Sequence, residues 1–445
     1  MNEEFARQQY EDVRFWAILA LAACVMVYGV LYLIAPEKFW TEVPFLRIWT
    51  TGFTEKELWI FLYWAILVTL GRVGNLPAQR ERLLLVAGGG CAVACFLFFF
   101  LWNGALLLRA AMYAAVAFVL PEMLFLLGFA IWATGKSMRQ GNGTPLWVKT
   151  MGLLLVLAEI LSAILAGMLY LEIRYIHITL DPVLHYVDAV LKLPYLTIMF
   201  GYDHVPSWGK LIVSSVYALL YMYAFIFLGV LWRYNKMRTV HGLRVNLVPL
   251  ALAPLFYLWI PGIGPAKFLL SIEFSGQIPE LFAFAPDWLQ NPTPTPRNAM
   301  PSFHFIGSFL LFAMALVLRW RFWTIANFVF FAITVYATMA LGEHYLIDLI
   351  VAAPLGVLLA AALMRPRWCW PVNTPLARCV WGCGTLVLVW MLLIRLLPLT
   401  LLANRWLTWL LTALSVLLAV ATMALFTRQM WREAEPSSQE QALQA

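Results

Sequence analysis

The chain has 445 residues, of which 63% are hydrophobic and only 12% charged, with a formal net charge of +7 and a mean hydropathy of +0.81. A soluble domain carries roughly 25% charged residues, so a soluble enzyme, a disordered chain and a nucleic-acid-binding protein are poor readings. The apolar residues lie in blocks of membrane-spanning length, which predicts an all-α polytopic membrane helical bundle.

In chain order, about twelve spans are predicted at ~20 residues each. The first four cover 15–34, 57–73, 83–102 and 111–132. Leu21-Ala22-Ala23-Cys24 looks like a lipoprotein cleavage box, but the apolar run continues to Ile34 and Glu3, Glu4, Glu11 and Asp12 precede it. It is read as an uncleaved first span. A polar, glycine-containing stretch from Gln140 to Pro145 closes this N-terminal region, 1–146. Six spans follow, at 147–169, 211–232, 247–263, 303–318, 322–341 and 345–364, and make a core region of 147–364. Two more, 378–397 and 405–426, fall in 365–445 with the C-terminal tail. Glu122 and Glu159 lie near the middle of spans, where a carboxylate is expensive. A paired or protonated structural Glu is the leading reading there, a relay the other.

The larger share of the 30 Lys and Arg residues falls on the side holding both termini. The positive-inside rule therefore puts the termini in the cytoplasm. Two outward loops are long. The first, 170–210, carries Asp181, His185, Asp188 and Lys192 among apolar residues and reads as an amphipathic helix at the interface. The second, 264–302, is rich in proline and reads as an irregular cap. The six cysteines match neither a disulfide framework nor a zinc set.

Polar residues concentrate in 297–348. Arg297-Asn298-Ala299-Met300-Pro301-Ser302-Phe303-His304 stands just before an apolar run. Pro301 and Ser302 are helix-start residues, which puts His304 in the first turn. The free N–H groups of such a start can hold an anion, and Arg297 can add a bidentate phosphate contact. Gly342-Glu343-His344-Tyr345-Leu346-Ile347-Asp348 follows. His344 and Asp348 are i,i+4 on one helix face, so the carboxylate can hold one imidazole nitrogen while the other meets a substrate. By the span count both histidines lie at the outer membrane surface. No third strong metal ligand accompanies them, and Arg297 beside them disfavours a cation. No cofactor is expected.

At these residues the chain resembles the type 2 phosphatidic acid phosphatase superfamily, in particular the branch of inositol phosphorylceramide synthases and their bacterial relatives. Met300-Pro301-Ser302-Phe303-His304 is similar to the family's P-S-x-H element. Gly342-Glu343-His344-Tyr345 through Asp348 is similar to its H-x3-D element. Pro261-Gly262-Ile263-Gly264-Pro265 resembles a segment upstream of the second motif. The likeness covers about 147–364.

The resemblance implies a metal-independent lipid phosphatase or phosphotransferase working through a phosphohistidine. His344 would be the nucleophile, Asp348 its orienting carboxylate and His304 the general acid and base. Arg297, Ser302 and Lys267 would bind phosphate. Glu343, Tyr345 and Asp181 are candidates for the acceptor or its pocket. The implied partners are a membrane lipid with a phosphoester head group and a hydroxyl acceptor or water. The implied setting is a bacterial inner membrane with the site on the extracytoplasmic side. Two departures stand out: the family's K-x6-R-P element is absent, and Thr338 occupies a place where an Arg is frequent. The alternative from another class is a transporter or flippase for an amphiphilic or anionic substrate, with Glu122 and Glu159 as coupling groups.

Overall fold

A computed structural model describes chiefly residues 3–34, 131–141, 179–192, 194–234, 252–268, 299–364 and 374–433, with isolated helical residues between them. The described elements are helical. We label them α1 (Glu3–Ile34), α2 (Asp181–Val190), α3 (Pro194–Asp203), α4 (Ser207–Ala218), α5 (Leu220–Tyr234), α6 (Phe303–Val317), α7 (Arg321–Ala340), α8 (Leu346–Leu363), α9 (Pro375–Leu396), α10 (Pro398–Ala403) and α11 (Arg405–Glu433). The expected span 57–73 and most of 83–102, 111–132 and 147–169 lie outside the described residues, as do Glu122 and Glu159. The chain divides into two units, Met1–Met168 with Tyr221–Leu243, and Leu169–Leu220 with Arg244–Ala445.

In the first unit, α1 runs unbroken for 32 residues. It carries the Leu21–Cys24 stretch within a continuous helix. The second unit holds the apolar bundle. Four of its helices, α7, α8, α9 and α11, are long and apolar enough to cross a membrane, or five spans if the bent pair α2–α3 counts as one. With no water in a bilayer, helices satisfy their own backbone groups, which is why such apolar runs fold this way.

Helix α8 is central. It packs against α6, α9 and α11, and 78% of its most apolar window is buried, against 28% for α7. Phe322, Ile325 and Phe328 of α7 are exposed, an apolar face of the kind that suits lipid. Polar side chains tie the helices where dispersion alone would not specify register. Asn327 of α7 donates to the Leu311 carbonyl of α6 at 3.0 Å. Trp390 of α9 donates to Ser415 of α11 at 2.9 Å. Gly356 of α8 makes room for the ring of Phe309, which would stand 3.0 Å from an added Cβ.

The segment 170–210 departs from the expected interface helix. Its described residues include α2 and α3, bent by 96° to each other. Asp181 and Asp188 of α2 are fully buried instead of facing water. The physical reason is that backbone N–H groups of other segments meet both carboxylates, which offsets their desolvation.

The turn between α7 and α8 is set by its sequence. Gly342 has φ +65° and follows the last turn of α7. Its N–H donates to the Met339 carbonyl at 3.0 Å, and the Glu343 N–H to the Thr338 carbonyl at 3.1 Å. This pair of bonds is a Schellman motif with glycine at its left-handed position. A Cβ there would lie 2.5 Å from Ala266 Cβ, so both conformation and space demand glycine. Gly342→Val is expected to cost about 1–3 kcal/mol from backbone strain alone. Thermal unfolding in detergent should show a clear loss, and an unchanged midpoint would refute this account of the turn.

Candidate functional site

The site grows from two helix ends. Ser302 caps α6, its hydroxyl accepting from the Phe305 N–H at 3.3 Å, which sets His304 in the first turn as the sequence predicts. The Schellman turn delivers His344 just ahead of α8. There the Asp348 carboxylate reaches back to accept from the Tyr345 N–H at 2.9 Å, the acidic half of a capping box. The Ser302 N–H donates to the Asp348 carbonyl at 3.4 Å, joining the two helix starts. The rings of His304 and His344 lie 6.1 Å apart, tilted by 59°.

His344 is 3% exposed. Its Nδ1 is 2.6 Å from the Ala299 carbonyl oxygen and 3.4 Å from Asp348 Oδ2. A carbonyl only accepts, so Nδ1 carries the proton and Nε2 the lone pair. The sequence puts Asp348 and His344 on one helix face, but His344 stands before the Tyr345 cap of α8, outside the helix. The structure keeps that neighbour but gives the shorter bond to Ala299. Burial pushes the His344 pKa down to about 4, with nearby Lys267 acting the same way, while the Ala299 carbonyl and Glu343 oppose the shift. The ring is therefore neutral at pH 7, the form a nucleophile needs. Asp348 Oδ1 is buried and has no hydrogen-bond partner among the described residues.

Around this pair, Lys267 and Glu343 form an ion pair at 3.1 Å, each about one-third exposed. Arg297 lies outside the described residues. Tyr345 is fully buried, and its hydroxyl donates to Asp181 Oδ1 at 2.9 Å. Asp181 also accepts from the N–H groups of Ile263 at 2.8 Å and Gly264 at 3.0 Å and from the Thr179 hydroxyl. Asp181 and Tyr345 are thus brought together, behind the histidine turn. Among the described residues, no three of His, Cys, Asp and Glu gather as a metal site.

Three contributors escaped the sequence reading. Tyr217 of α4 stacks on His304, with centroids 4.1 Å apart and planes within 15°. It lies inside an apolar run and nothing in the spacing singles it out. Asp188 accepts from the N–H groups of Leu346 at 2.7 Å and Ile347 at 2.9 Å, capping α8 from a distant segment. Ala299 contributes only its carbonyl, which no side-chain motif can announce.

Residues 183–363 match the family model described as the PAP2 superfamily. The matched stretch contains Lys267, Ser302, His304, His344 and Asp348 and leaves out α9 to α11. No curated protein and no solved structure matches the chain. With the apolar helices of the second unit, the match makes this an integral membrane protein.

The buried, neutral state of His344 has a direct test. An unfolded histidine titrates near 6.5, so the stability this burial carries is full above about 6.5 and is lost as pH falls toward 4. Histidine-selective NMR, with His344→Ala to assign the signal, should find a His344 midpoint close to 4. A midpoint at or above 6.5 would contradict the bonding described.

Proposed function

We propose that the chain transfers a phosphoryl or phospho-head group from a lipid phosphoester through a phosphohistidine on His344. The observation that carries this reading is the His304–His344 pair, 6.1 Å apart, with Nδ1 of His344 committed to Ala299. That spacing accommodates a phosphorus about 3 Å from one ring and a leaving oxygen about 3 Å from the other.

In the first step the Nε2 lone pair of His344 attacks phosphorus. The bond to the leaving oxygen breaks, and His304, entering this step as imidazolium, supplies that oxygen with a proton and is left neutral. In the second step His304 takes the proton of an acceptor hydroxyl, whose oxygen attacks phosphorus and breaks the P–N bond. Water as acceptor makes a lipid phosphatase. A second hydroxyl makes a transferase, which the Gly342-Glu343-His344-Tyr345 likeness to inositol phosphorylceramide synthases favours. Asp348 sits close enough to His344 to stabilise the cationic ring of the intermediate. Arg297, Lys267 and the Ser302-capped start of α6 supply phosphate contacts. Glu343 can hold Lys267 or an acceptor hydroxyl. Asp181 and Tyr345 shape the pocket by fixing the turn that carries His344. The catalytic core is assigned to 147–364, within a bacterial inner membrane, with both termini cytoplasmic and the site outside.

The test is release or transfer of the head group from defined lipids by purified protein, with water, inositol and ceramide as acceptors. His344→Ala and His304→Ala should each lower turnover by about a hundredfold or more. A labelled phosphoenzyme, acid-labile and alkali-stable, should form on the wild type and be absent from His344→Ala. Wild-type turnover in both variants would sink this mechanism and leave transport as the reading. Sidedness has its own check. A tag within 275–295 should react from outside intact cells, and reaction only after permeabilisation would reverse the orientation.

A further inference from the structure

A groove of about 640 Å³ opens between α6, α7, α8 and α11. It begins at Phe305, one residue past His304, and continues along Phe309, Val357 and Val420 to Arg428 and Trp431. On α11 its lining runs from Val416 to Trp431, about 22 Å along the helix. That length exceeds one leaflet of the hydrocarbon core, about 15 Å, so it can hold a full acyl chain. Val420 on its wall is 65% exposed.

The two ends differ in chemistry. The histidine end offers the Phe305 ring. The remote end offers the cation Arg428, the one charged residue among the described lining residues. Trp431 is held in place there. Its indole N–H donates to the Leu316 carbonyl at 3.2 Å, and its own carbonyl accepts from Arg319 at 3.1 Å. The Arg319 guanidinium also lies 5.1 Å over the Trp431 ring. Arg319 is therefore engaged. Arg428 is exposed and forms no ion pair among the described residues. An apolar trough ending in an unpaired cation beside an interfacial tryptophan complements an amphiphile with an anionic head.

We propose that this groove holds an acyl chain of an anionic phospholipid whose phosphate sits on Arg428, at the membrane face opposite the histidines. Its lipid is distinct from a substrate whose head group lies at His304 and His344, because an anionic head at the Phe305 end would meet no cation in the groove. The proposal is independent of the phosphoryl-transfer reading.

Native mass spectrometry of the full chain in detergent tests it, with equal amounts of dioleoylphosphatidylglycerol and dioleoylphosphatidylcholine as probes. The wild type should retain phosphatidylglycerol about fivefold better, the worth of one surface cation. Arg428→Gln should bring the two lipids to parity, and Arg428→Lys should keep the preference. Val420→Trp, which fills the groove from an exposed position, should lose the retained lipid while keeping the wild-type unfolding midpoint without added lipid. Equal retention of both lipids by the wild type would overturn the proposal. So would a preference untouched by Arg428→Gln, or retention untouched by Val420→Trp. If Val420→Trp raises KM for a long-chain phosphoester but not for a short-chain one, and Arg428→Gln changes nothing, the groove belongs to the substrate's tail and the proposal also fails.

Discussion

The buried carboxylate of Asp181 is the interaction on which the site rests. It takes hydrogen bonds from two backbone N–H groups of the 261–265 segment, from Tyr345 and from Thr179. A carboxylate removed from water is costly unless donors surround it. Here the donors come from stretches more than 80 and more than 160 residues away, so satisfying one side chain brings three parts of the chain together. Asp188, two turns along the same helix, does the same for the start of α8. Helix α2 thus acts as a brace with two carboxyl fastenings.

The consequences run outward through the backbone. With residues 261–264 held, the Pro261 carbonyl accepts from Leu180, and the Gly262 carbonyl accepts from the Ala299 N–H at 2.9 Å. That last bond fixes Ala299, whose own carbonyl receives the His344 Nδ1 proton. Gly264, at φ +88°, lets the segment pass so close to the histidine turn that a Cβ would stand 2.5 Å from the Glu343 carbonyl oxygen. The protonation geometry of His344 is therefore inherited from a carboxylate it never touches.

Much of this was legible in the sequence, and the boundary has a physical cause. Helix starts are local, so Pro301-Ser302 and the apolar runs of α7, α8, α9 and α11 could be read directly. The His-x3-Asp spacing also announced a neighbourhood that exists. Tyr217, Asp188 and the Ala299 carbonyl could not be read, because each acts through a tertiary contact that leaves no period in the sequence. The segment 170–210 misled for a related reason. Two aspartates in an apolar stretch look amphipathic when their partners are invisible, and only the distant N–H groups show that the polar face points inward. Hydropathy also foresaw that α8 would be apolar without showing that it would be the most enclosed of the described membrane-length helices.

The N-terminus of α8 carries one more implication. A helix start ordinarily attracts anions, yet the N–H groups of Tyr345, Leu346 and Ile347 are already taken by Asp348 and Asp188. The end nearest His344 is thereby stripped of donors and surrounded by acidic side chains. A negatively charged group approaching His344 receives no welcome from the helix that His344 precedes. The start of α8 spends its backbone donors on acidic side chains beside the imidazole lone pair of His344, so backbone donors for an anion there have to come from another segment.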